Sequence, residues 1–117
     1  MIERQPVAPV EDALDATFHA LADRTRRALL RRLSEGDATV TELARPFDIS
    51  LAAVSKHIQV LERAGLASRT VDGRVHHLAL RPDTLRDAAE WVAYYRRFWD
   101  ESLARLDEVL REGNPPQ

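Results

Sequence analysis

The 117-residue sequence predicts a mainly α domain with a small β-hairpin, in the order H-H-H-H-β-β-H. Three observations predict it. Apolar residues recur at helical spacing through most of the chain. The pattern switches to period two only between Ala67 and Leu80. An Asp72-Gly73 pair divides that stretch, a strong hairpin signal because glycine tolerates positive φ.

The elements follow in order. Residues 1–10 contain Pro6 and Pro9 with little periodicity and read as a flexible N-terminal arm. A first helix, residues 11–22, aligns Leu14, Phe18 and Leu21 on one stripe. Asp23 is placed to cap a second helix by accepting the free N–H of Thr25 or Arg26. Leu29, Leu30 and Leu33 form its inner face, and Gly36 stops it. Thr41 opens a short third helix, Glu42 to Phe47, which Pro46 shortens or distorts by removing an N–H. Ser50 caps a fourth helix from about Leu51 to Ala64, with Gly65 at its C′ position. Strands Ala67–Val71 and Arg74–Leu80 follow. Pro82 suits the first position of a long last helix, residues 82–111. Residues 113–117 read as a flexible tail, which leaves one domain over 11–112.

Two short helices across a tight turn, followed by a hairpin, are the plan of a winged helix-turn-helix. The fourth helix fits the reading position. At about 100° per residue, Val54, Ile58 and Leu61 face the core. The opposite arc carries Ala52, Ser55, Lys56, Gln59 and Arg63, small near its start and then able to hydrogen-bond bases or phosphates. Ser50 at its cap completes the candidate DNA-binding set on this helix. His57 lies at the edge of the core face, where it can bond a phosphate or simply pack. In the hairpin, Arg69 and Arg74 flank the turn and can reach a minor groove or the backbone.

The charge balance is bipolar. The net charge is −2, but residues 22–81 hold eleven Lys/Arg against seven acids. Both flanking segments are acidic, so a positive middle can meet phosphate while the ends do something else. With no cysteine, disulfides and thiolate metal sites are excluded. No apolar run approaches the ~18–20 residues of a membrane span, and the N-terminus lacks the order of a signal peptide. A cytoplasmic protein is the expectation. No glycine-rich phosphate loop, nucleophile elbow or His/carboxylate metal set appears, so no enzyme is expected and no catalytic residue is assigned.

Several segments carry a family resemblance. F-x-A-L-A-D-x-T-R-R (Phe18 to Arg27) and V-T-E-L-A-R-P-F-D-I-S-L-A-A-V-S-K-H-I-Q-V-L-E-R-A-G-L (Val40 to Leu66) resemble the ArsR family of small winged-helix repressors. R-V-H-H-L-A-L (Arg74 to Leu80) and Y-R-R-F-W (Tyr95 to Trp99) extend the likeness over about residues 14–112. The resemblance implies a homodimer that binds a near-palindromic double-stranded DNA operator through the 50–64 helix and the 67–80 wing, and blocks transcription. It points to the subgroup without metal-sensing sites. The family's thiolate pair falls on Ala44 and Pro46, and Pro82 to Arg111 contains no histidine. Adjacent His76 and His77 point to opposite faces of a strand and cannot readily close on one ion. No metal and no cofactor are expected; a small-molecule effector is left open.

The last helix repeats Leu85, Val92, Trp99 and Leu106 every seven residues, with Tyr95, Leu103, Val109 and Leu110 alongside. Trp91, Tyr94 and Phe98 widen this face beyond what one small domain covers. A seam against a second copy, joined by Leu14 and Phe18, would bury it. The alternative is a winged helix kept for dimerisation or protein contact after loss of DNA binding.

Overall fold

A computed structural model describes residues 8–113. The element order is α1 (Ala8–Leu21), α2 (Arg24–Leu33), β1 (Ala38–Thr39), α3 (Val40–Ala44), α4 (Leu51–Arg63), β2 (Ala67–Asp72), β3 (Val75–Leu80) and α5 (Pro82–Glu112). The predicted helices and hairpin are all present, and one strand is added. Of the expected arm at 1–10, residues 1–7 lie outside the described residues, as do residues 114–117 of the expected tail at 113–117. Helix α1 begins at Ala8 rather than Glu11. Pro9 is accommodated because the first turn of a helix has no intrahelical use for its N–H.

Caps decide where the helices begin. Asp23 accepts from the Arg26 N–H at 3.0 Å, which starts α2. That bond, with the charges of His57 and Arg26 adding to it, holds the Asp23 carboxyl below its ordinary value of 3.8. Asp23→Ala should therefore cost about 1 kcal/mol near neutral pH. Because the folded value is depressed, the cap's contribution is complete above 3.8 and fades as pH falls through the folded value. Urea titrations of both proteins across that range should converge at the acid end.

The third helix departs from expectation. It is capped by Thr39, two residues before Thr41, through a reciprocal box. The Glu42 N–H donates to Thr39 Oγ1 at 3.1 Å and the Thr39 N–H donates to Glu42 Oε1 at 2.8 Å. The helix ends at Ala44, not Phe47, because Pro46 offers no N–H to continue the ladder, although Arg45 itself keeps helical angles and bonds back to Thr41 O. At the end of α4, Leu66 N–H reaches Leu61 O at 2.9 Å and Gly65 N–H reaches Glu62 O at 3.0 Å. Gly65 takes φ +78°, so the turn is a Schellman motif that seats Leu61 and Leu66 together in the core.

The sheet has three antiparallel strands in the order β1-β3-β2. Ala38 pairs Leu78 and Thr39 pairs His77, while β2 runs against β3 from Ala67–Leu80 to Asp72–Val75. The hairpin turn therefore centres on Gly73 and Arg74 rather than on Asp72 and Gly73. Gly73 takes φ +64° and Arg74 does not go positive, the II′ arrangement, which carries Arg74 out to the tip.

Leu29, Leu43, Val54, Ile58, Leu61, Leu66 and Leu78 form a core between α2, α3, α4 and the sheet. Helix α5 meets it near its start, through Leu85. Of its 31 residues only Ala88 is buried, and the helix spans about 46 Å. Its first half rests on α1, where Phe18 meets Trp91 edge-on with ring centroids 5.4 Å apart. The radius of gyration is 20.6 Å, against about 13 Å for a compact domain of this length.

Candidate nucleic-acid interface

Helix α4 is divided as its spacing requires. Val54, Ile58 and Leu61 are buried, whereas Ala52, Lys56, Gln59 and Arg63 are exposed and Ser55 is half-buried. Ser50 accepts from the Ala53 N–H at 3.1 Å, so its hydroxyl is first a cap. The small side chains of Ala52 and Ala53 leave the first turn of α4 open to close approach.

A cavity of about 590 Å³ runs between α3, the start of α4 and the wing. Ser55, Arg69 and Arg74 line it together with Thr41, Arg45 and Leu51. Arg45 and Leu51 were not among the residues singled out from the sequence. Arg45 reads there as one more surface cation. Leu51 is apolar yet 54% exposed at the first position of α4, where a thymine methyl is a suitable partner. By spacing Leu51 continues the Val54 and Ile58 stripe, so only its exposure in the structure sets it apart from the core.

Two of the residues considered for DNA also make contacts within the protein. His57 turns toward α2, with Nδ1 3.2 Å from Arg26 Nη1 and 3.9 Å from Asp23 Oδ1. Arg26 also donates through Nε to Ala20 O at 2.8 Å and through Nη2 to His19 O at 3.1 Å. One guanidinium thus satisfies the end of α1 and touches α4. Arg69 grips Glu62 of α4 with two bonds, Nε to Oε2 at 3.1 Å and Nη2 to Oε1 at 2.8 Å. Its Nη1 lies 2.9 Å from His76 Nδ1. Hydrogen bonding to Glu62 holds the Arg69 guanidinium above its already high ordinary value. Arg74, by contrast, is exposed at the wing tip.

The residues expected to meet a second copy divide along α5. Leu14 and Leu85 are half-buried, while Phe18, Val92, Tyr95, Trp99, Leu103 and Leu106 are exposed. Trp91, Tyr94, Phe98, Val109 and Leu110 are exposed too. Among the described residues, no group of three or more His, Cys, Asp or Glu gathers to hold a metal, and no helix is long and apolar enough to cross a membrane.

This arrangement is that of a helix-turn-helix transcriptional regulator, and comparison with known proteins agrees. A family model described as a helix-turn-helix domain matches residues 21–69. The chain is 39% identical over 96 residues to the HTH-type transcriptional regulator Rv2034 of Mycobacterium tuberculosis, covering 82% of this chain and 87% of that protein. It is 30% identical to the transcriptional repressor SdpR of Bacillus subtilis over 77% of this chain and the whole of SdpR. A crystal structure of an ArsR family transcriptional regulator superposes with a TM-score of 0.71 at 43% identity, covering 75% of this chain and 97% of that one. An ArsR-like regulator from Rhodococcus sp. RHA1 gives the same TM-score at 26% identity, over 87% and 96% of the two chains. The chain belongs to the ArsR family of winged helix-turn-helix transcriptional regulators.

Proposed function

We propose that this regulator is a homodimeric repressor that binds a near-palindromic operator with α4 in the major groove and the wing alongside. The observation that carries the reading is the exposed polar arc of α4 beside a wing tip formed by Arg74. Repression is supported by the likeness to SdpR, which is itself a transcriptional repressor. A homodimer is supported by the apolar face of α5, which is exposed among the described residues.

Within this reading the contacts divide into two kinds. Ser55 and Gln59 read base edges, and Leu51 and Ala52 pack close to them. Ser50, Lys56, Arg63 and Arg74 hold phosphates. His57 and Arg69 position the elements rather than touch DNA.

Titration of salt against affinity for promoter-region DNA tests the reading. Log affinity should fall linearly with log salt, by about 0.9 per phosphate contact. Gln59→Ala should reduce operator binding by about 1–3 kcal/mol and leave random DNA unaffected. Arg74→Ala should weaken binding to every sequence and flatten the slope by about one contact. A wild-type chain that fails to retard promoter DNA at low salt would instead be a module for dimerisation or protein contact.

A further inference from the structure

We propose that Glu62, Arg69 and His76 form a bracket that sets the angle between the wing and the reading helix. The proposal rests on the reading that α4 and the wing meet one duplex together. Glu62 is the next-to-last residue of α4, Arg69 the third of β2 and His76 the second of β3, so three elements converge on one guanidinium. Beyond this point the hairpin is unsupported, because residues 70–75 are all exposed. The outer wing is therefore a lever whose direction is fixed at its root.

The chemistry suits a fixed angle. Arg69 presents two parallel N–H groups to both oxygens of one carboxylate, a planar grip that resists rotation. The third contact requires His76 Nδ1 to accept, which places its ring proton on Nε2. The pair is about one quarter exposed, so water screens it without displacing it. With its fork on Glu62 and Nη1 on His76, Arg69 commits three of its five N–H donors within the protein. These are positioning residues, and Arg74 at the lever's tip is the contact they aim.

Two measurements test the bracket, the first without DNA. Amide hydrogen exchange across residues 70–75 should quicken about tenfold in Glu62→Gln and in Arg69→Met, with α2 and α4 unchanged. Arg69→Lys should also quicken exchange, since a point charge cannot reproduce the fork. The exchanged pair, Glu62→Arg with Arg69→Glu, should restore protection. In the second measurement, the single variants should lose operator affinity while keeping affinity for random DNA, and hydroxyl-radical protection at the wing's edge of the footprint should fade. Unaltered exchange, or no recovery in the exchanged pair, would overturn the bracket. So would an Arg69→Met variant that weakens all DNA equally and flattens the salt slope, because Arg69 would then be a phosphate ligand. If the wild-type chain binds no DNA, the proposed function fails, and the exchange measurement still decides whether the bracket exists.

Discussion

Leu103→Glu should convert the protein to a monomer and reduce operator affinity by roughly a hundred- to ten-thousand-fold. Leu103 is 55% exposed on the far half of α5, where Trp99 and Leu106 are equally uncovered. Among the described residues Leu103 belongs to no buried cluster, so a charge there leaves the core untouched. Against a second copy it would have to be buried without a partner, which costs several kcal/mol. The loss in DNA binding follows from linkage. Two reading heads held together make the second half-site encounter intramolecular, and separation forfeits an advantage of about 10²–10⁴. Light scattering at micromolar concentration and anisotropy on a two-half-site operator measure the two effects. A variant that remains dimeric would move the interface away from this face.

Leu61→Ala should be the most damaging single truncation in the reading helix, costing about 2–5 kcal/mol. Leu61 is fully buried, and it does two things at once. Its side chain lies in the core cluster with Leu66, and its carbonyl accepts the Leu66 N–H that closes the turn after α4. Small domains have only about 5–15 kcal/mol in total, so the loss is a large part of the whole. Urea denaturation should show a lower midpoint with the slope retained. A cost under about 1 kcal/mol would mean that the core collapses into the vacated volume.

How much of this was readable beforehand depended on the range of the interactions. Helix α4 was legible because its cap, its apolar spacing and Gly65 are all local signals. The wing was legible from alternation and the Asp72-Gly73 pair, although the turn centres one residue later. Strand β1 was not legible: Ala38 and Thr39 are too short for any period, and only pairing with Leu78 and His77 makes them a strand. The start of α3 was missed although its signal is local: Thr39 and Glu42 stand at the spacing of a capping box, and Thr41 has Ala44 at that position. Thr39 and Thr41 are both plausible caps, and the reciprocal bond with Glu42 chooses between them. In the site, exposure of Lys56, Gln59 and Arg74 followed from helix geometry and turn position. The roles of His57 and Arg69 did not. Each is claimed by a partner from another element, Asp23 and Arg26 for one and Glu62 for the other. A surface arginine and a bracketed one look alike until the carboxylate facing them is known.

The aromatic face of α5 also gives the protein a built-in reporter. Its only two tryptophans, Trp91 and Trp99, both stand on that helix, 43% and 61% exposed, and neither lies among the residues assigned to DNA. Intrinsic fluorescence is therefore blind to the core and to the reading head alike. On dilution, the emission maximum should shift to the red as the seam opens and water reaches the indoles. A dissociation constant for the dimer can then be read from the unlabelled protein by light alone.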